Sequence, residues 1–164
     1  MQLARPRDAP VPVRQAARYD RLVASSEAKR NLAAGIAPDV GGERGHWRPA
    51  RLLADLPHDD PAVTEEVFGP LLTVQRADGV EAALALANSV PQALAASVWT
   101  TDLRAGLDLV ARLNAGEAWV NCHLVQTAEL PHGGRGASGH GTDLSVLALH
   151  EYQRPKTVTV RVTP

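Results

Sequence analysis

This sequence has little cysteine, no excess of positive charge and no long apolar run, and each shortage closes off a class of protein. Its 164 residues include one cysteine, Cys122, so no internal disulfide can form. Only Lys29 and Lys156 are lysines, and the 17 basic residues are balanced by 18 acidic ones to a net charge of -1. That balance gives no electrostatic footprint for nucleic acid or an anionic membrane, and neither partner is expected. The longest apolar stretches are short pieces such as AALALA, well under the ~20 residues that span a bilayer. The opening MQLARPRDAPVPVRQ has no apolar segment of the kind a secretory signal needs, so a cytoplasmic location is expected. What remains is 45% apolar, enough for one domain with a real core but too little for separate cofactor and substrate domains.

Along the chain, residues 1–12 hold three prolines and no apolar period and read as an irregular arm. From Val13 to about Asn31, the spacing of Ala16, Tyr19 and Val23 predicts an amphipathic helix that stops before Gly35. Residues 35–50 are punctuated by glycine and proline and read as loop or short edge strand. LLTVQ (71–75) predicts a strand, and DGVEAALALANS a helix with Asp78 as cap and Glu81 reaching back. AASVWT (95–100) predicts a second strand. TDLRAGLDLVARLNAG follows as a helix with Leu103, Leu107 and Val110 on one face and Gly116 at its C-terminal cap. EAWVN (117–121) is a third strand. This alternation implies an α/β fold with a parallel βαβ layer and right-handed crossovers. TDLSVLALHEY predicts a short helix capped by Thr142 or Asp143, and KTVTVRV a final strand whose Val158, Val160 and Val162 give it one buried face.

The ordered motifs EEVFGPLLTV, ALALANSVPQALAASVWTTD, AGEAWVNCHLVQTAELPHGGRGASGHGTDLS and LHEYQRPKTVTVRV resemble the C-terminal part of the NAD(P)-dependent aldehyde dehydrogenase superfamily, in register from about Gly41 to Val162. The stretch VNCHLVQTAELPHGG followed by GHGTDLS is most similar to the aminoaldehyde group, including γ-aminobutyraldehyde dehydrogenases. The resemblance implies three segments: the arm 1–12, a truncated catalytic-domain fragment over 13–154, and an oligomerisation strand over 155–164. It also implies that the family's catalytic cysteine and NAD domain lie upstream of the matched region. The last strand would then lack its usual neighbours, and pairing between two copies is expected to give a homo-oligomer. Three departures from the family pattern stand out: Arg135 and Gly136 replace an aromatic-lysine pair, Gln92 and Ala93 a tyrosine-glycine pair, and His46 and Trp47 bulky apolar residues.

Gly134, Gly136 and Gly139 are spaced as G-x-G-x-x-G, yet a dinucleotide loop needs a strand directly before it and an acidic residue about twenty positions on. Twelve residues, Cys122 to Gly133, intervene, and the acidic partner is absent. The loop is therefore expected to be structural, its glycines allowing backbone to pass close to backbone, and no cofactor is assigned.

By resemblance, Glu66 and Phe68 match positions that hold the nicotinamide ribose and pack on the nicotinamide ring. Without a cofactor they are turn and core residues, or Glu66 serves as a general acid or base. Cys122 is not at the family's catalytic position and is expected as a buried thiol in the substrate-facing loop. His123, His132 and His140 share that loop with Glu129, but their spacing matches no chelate motif and no metal is assigned. Imidazole titrates near neutrality, so His123 and His132 join Glu66 as candidate acid-base residues, with Phe68, Cys122, Glu129 and Trp119 lining the substrate. Trp99 and Trp119 are otherwise strand residues expected to pack inside. The implied function is non-redox chemistry on a small aldehyde, aminoaldehyde or cyclic imine. The alternatives are a non-catalytic oligomerisation module and a part of an NAD-dependent dehydrogenase completed by another chain.

Overall fold

Helix α1 (Val13–Ser25) opens the computed structural model, which describes residues 13–26, 30–35 and 46–163. The expected arm 1–12 lies outside the described residues. The chain divides into two compact units with the boundary after Leu86.

In the first unit α1 buries Ala16, Tyr19 and Leu22. The apolar stripe thus runs through Leu22, not Val23, and the helix ends six residues before Asn31. Strand β1 (Arg30–Ala34) takes over, pairing antiparallel with β2 (Arg51–Ala54), which pairs parallel with β3 (Leu71–Val74). Pairing with β2 overrides the helical reading of residues 30 and 31. The Tyr19 hydroxyl donates to the Pro49 carbonyl at 2.6 Å. Burial pushes the phenol's pKa up, against the opposing pull of the neighbouring Arg51. A four-residue helix, α2 (Pro61–Thr64), is capped by the buried Asp60, whose Oδ1 accepts from the Ala62 N–H at 2.8 Å. Such a cap contributes about 1 kcal/mol. Leu53, Leu56 and Ala62 form the core, with Val63 and Leu71 packed on it. Helix α3 (Val80–Ala87) starts just after Gly79, and the boundary falls before its last residue.

The second unit begins with the two-residue strand β4 (Gln92–Ala93) and then β5 (Ala95–Val98), α4 (Leu103–Arg112) and β6 (Glu117–Val120). Strands β5 and β6 are parallel, with Ser97 opposite Trp119 and Val98 opposite Val120. Asp102 caps α4, its Oδ1 accepting from the Ala105 N–H at 3.1 Å. Gly106 is the buried residue of α4; a Cβ there would stand 2.9 Å from Val120 Cγ1 and 3.0 Å from Thr100 Cγ2. Glycine inside a helix costs roughly 1 kcal/mol against alanine, and here it lets the helix lie close on the sheet. The stripe centred on Gly106 leaves Leu103 and Leu107 exposed, a correction to the expected face. The helix also ends at Arg112 with Leu113 as its C-terminal cap, so Gly116 is not that cap. Asn121, at φ 56°, ends the ladder: its Oδ1 accepts from the Thr100 N–H and its Nδ2 donates to the Thr100 carbonyl.

Two short antiparallel pairs hold the glycine-rich segment. Strand β7 (His132–Gly133) pairs with β9 (Thr142–Asp143), and β8 (Arg135–Gly136) with β4. Because Thr142 and Asp143 sit in β9, they cannot cap the next helix, which shrinks to α5 (Ala148–Glu151). No strand forms over 153–163, and Val158, Val160 and Val162 are exposed, so the terminal face expected to be buried has no cover among the described residues. The fold is α/β with parallel and antiparallel pairs. No helix among the described residues is long and apolar enough to cross a membrane.

Candidate functional site

Side chains alternate across a strand, so the β5–β6 pair has two unlike faces. Val98 and Val120 point to one, and Gly106 of α4 packs there. Glu117, Trp119 and Ser97 point to the other, where residues 121–131 fold back. The backbone sets this up at Gly116, whose Cβ, if present, would lie 1.6 Å from the Gly133 carbonyl oxygen. Only glycine lets the start of β6 run against β7. This contact brings Glu117 to His132.

His132 Nδ1 lies 2.8 Å from Glu117 Oε2, and Gln126 Nε2 donates to the same oxygen at 2.8 Å while standing 2.9 Å from that ring nitrogen. The Glu117 side chain is 12% exposed and that of His132 28%. Burial alone would push the Glu117 carboxyl up; hydrogen bonds from His132 and Gln126 and the attraction of the imidazole outweigh it and hold the pKa below the ordinary carboxylate range. Glu117 is therefore an anion at neutral pH. A carboxylate has only acceptor sites, so the nitrogen facing it carries the proton. His132 also lines an open cleft of about 410 Å³ with Leu94, Gly134, Ser138, Thr142 and Tyr152.

A second group sits further along the same face. The Ser97 hydroxyl is 2.5 Å from His123 Nδ1, and the His123 ring stands edge-on to Trp119 with centroids 5.2 Å apart at 74°. Trp119 Nε1 donates to the Val125 carbonyl at 3.0 Å, pinning the loop. Cys122 between them is half-buried and a free thiol. Glu129 is exposed, its pKa lowered by a hydrogen bond with Thr127. Among the described residues no three His, Cys, Asp or Glu side chains gather as a metal site.

The glycine spacing does not form a dinucleotide cradle. A Cβ on Gly134 would meet Ser138 at 2.7 Å and one on Gly136 the Pro91 carbonyl at 2.6 Å, so the chain itself fills the space a phosphate would need. Glu66 and Phe68 belong to the first unit, between α2 and β3, and both are exposed. Phe68 is 74% exposed at φ 50°, so it is not a core residue. Trp99, expected inside, is exposed as well.

Residues 9–158 match the profile of the aldehyde dehydrogenase family. The chain belongs to that family. It is 30% identical over 147 residues to aldehyde dehydrogenase, cytosolic 2, of Macroscelides proboscideus, covering 88% of this chain and 61% of the relative. Among solved structures, an NAD-dependent aldehyde dehydrogenase from Sinorhizobium meliloti superposes with a TM-score of 0.74 at 30% identity, over 93% of this chain and 31% of the other. A betaine aldehyde dehydrogenase from Staphylococcus aureus, solved with NAD+, superposes at 0.77 and 26% identity, over 87% and 29%. The chain thus spans roughly a third of these aldehyde dehydrogenase structures and 61% of the Macroscelides relative.

Two groups central to this face, Glu117 and Ser97, are absent from the sequence reading. A signal for them existed. Glu117 lies two residues before Trp119, and Ser97 is Trp119's register partner, so both share its face; a charged residue at a strand's start, on the face of a proposed site residue, is a candidate by period alone.

Proposed function

We propose that this chain forms the aldehyde-facing part of an aldehyde dehydrogenase-type site and performs acid-base, non-redox chemistry on a small aldehyde, aminoaldehyde or cyclic imine. The observation that carries the reading is the hydrogen bond of Glu117 to His132, a residue of the wall of the 410 Å³ cleft. With Nδ1–H on the carboxylate, the other ring nitrogen is left to take a proton from, or give one to, a bound carbonyl compound. His123, hydrogen-bonded to Ser97, is the second proton carrier; Glu66, exposed in the first unit, is a candidate acid-base group of that unit. Trp119, Cys122 and Glu129 are the candidate substrate-contacting residues of the second unit, and Phe68 that of the first. The betaine aldehyde dehydrogenase by its name acts on a small nitrogen-bearing aldehyde, which supports the aminoaldehyde class. This proton transfer requires no cofactor. In the same reading residues 1–12 are an arm, 13–154 the catalytic-domain segment and 155–164 the oligomerisation strand, and the protein works in the cytoplasm. The three exposed valines, Val158, Val160 and Val162, support pairing between copies; light scattering at micromolar concentration should show a dimer or larger, and a monomer would remove this part.

The test is turnover of small aldehydes, aminoaldehydes and cyclic imines followed by NMR without NAD. His132→Gln should slow the reaction about 100-fold or more. Full turnover in both His132→Gln and His123→Gln would end the reading.

A second reading is favoured by the large exposed apolar side chains, among them Leu72 at 64% and Trp99 at 68%. These suit packing against further parts of an NAD-dependent dehydrogenase. In that case Glu66 and Phe68 are the residues of this chain that would hold the nicotinamide end of NAD, which supplies the hydride acceptor. Adding NAD and aldehyde to the chain alone should give no NADH absorbance, and co-expression with a dehydrogenase chain carrying the reactive cysteine should restore it.

A further inference from the structure

We infer that Glu117 is a positioning residue for His132: its carboxylate holds the Nδ1–H tautomer and so leaves Nε2 as the nitrogen that exchanges protons at the cleft. The inference rests on the proposed proton-transfer role of His132 and adds the residue that sets its orientation and protonation pattern. Three observations carry it.

The first is the 2.8 Å contact between His132 Nδ1 and Glu117 Oε2. A ring nitrogen bearing a lone pair would repel a carboxylate oxygen at that distance; a ring N–H makes a charge-assisted hydrogen bond. The second is Gln126. Its amide donates to the same Oε2 at 2.8 Å and stands 2.9 Å from Nδ1. With the ring nitrogen protonated, the two donors converge on one oxygen and the short approach between them is a consequence of sharing it. Remove the carboxylate, and the same amide hydrogen is placed to donate to Nδ1, which reverses the tautomer. The third is the mounting. The Glu117 N–H donates to the Leu94 carbonyl at 3.0 Å, and Gly116 lies against Gly133, the residue after His132. Both members of the pair are thus fixed by backbone, and among the described residues His132 Nε2 has no partner of its own.

The measurement is the tautomer of His132 in the full chain labelled with 15N-histidine, read from long-range proton-nitrogen correlations at a pH where the ring is neutral. His132→Gln identifies the signal. Wild type should show Nδ1–H, and Gln126→Ala should keep it. Glu117→Leu should convert the ring to Nε2–H and lower kcat at least 10-fold with KM little changed. Nε2–H in the wild type would overturn the assignment whatever the turnover, and this needs no variant at position 117 to fold. Retention of Nδ1–H in a folded Glu117→Leu protein would overturn it equally. Should the tautomers come out as expected while His132→Gln turns over at full rate, the positioning by Glu117 stands and the proton-transfer reading falls.

Discussion

The two faces of the β5–β6 pair are held by different physics. On one, α4 is drawn onto Val120 and Thr100 through Gly106, and fit depends on atoms that are absent. The other has a loop in place of a helix, tied by directed contacts: Glu117 to His132 and Gln126, Ser97 to His123, Trp119 to the Val125 carbonyl. Close-packed apolar contact is non-directional and tolerates exchange of like for like. Directed polar contact fixes which atom points where, which is what chemistry needs. The helix face builds the sheet and the loop face uses it.

The comparison breaks most sharply at Gly116, where the loop face depends on a backbone crossing. Gly116→Ala would put a methyl 1.6 Å from the Gly133 carbonyl oxygen, a clash no rotamer relieves. The start of β6 and β7 must separate, at a cost of about 3 kcal/mol. Urea unfolding should show this loss, and an unchanged midpoint would mean that the crossing is not made in solution.

The elements of the helix face were legible in the sequence, and the loop face only in part. Strand, helix and strand over 95–121 follow from the short apolar runs AASVWT and EAWVN and the helical spacing between them, signals that are local. The misplaced details are those set by contacts distant in sequence. Gly116 reads as a helix cap because the chain three residues after Leu113 gives no hint of Gly133. Thr142 reads as a cap because its pairing with Gly133 is invisible locally. His132 stands out by residue type, but its partner Glu117 lies 15 positions back and Gln126 six, and no spacing rule links them. Ser97 and Glu117 could have been reached through the alternation that puts them with Trp119. Strand β1 is not legible locally, because its pairing with β2, not its composition, makes it a strand.

On the loop face, the carboxylate itself can be titrated. The Glu117 pKa lies below the ordinary value in the folded chain, against about 4.3 when unfolded. A depressed carboxylate stabilises the fold above its unfolded pKa, and that contribution is lost as pH falls through the folded one. Glu117→Gln should therefore cost about 1.5 kcal/mol at pH 7, the low end of the scale of a hydrogen bond to a charged group. The gap between the two proteins should close as pH drops from about 5 through the folded pKa. Chemical denaturation across that range decides it; a gap that stays constant would mean the carboxylate's charge contributes nothing to the fold.

The helix face should respond less, because there two effects oppose. Gly106→Ala gains roughly 1 kcal/mol of helix propensity, but places its methyl 2.9 Å from Val120 Cγ1 and 3.0 Å from Thr100 Cγ2. Neither branched neighbour can swing clear as a long flexible side chain would, so the overpacking cost of about 1 to 3 kcal/mol exceeds the gain. A net loss near 1 kcal/mol is expected, with no change in the His132 tautomer, since α4 touches the opposite side of the sheet. A stabilised Gly106→Ala would mean that the helix stands off the strands and that close approach is not what glycine supplies there. An altered tautomer would mean that the two faces are coupled through the sheet, and the division of labour between them would have to be given up.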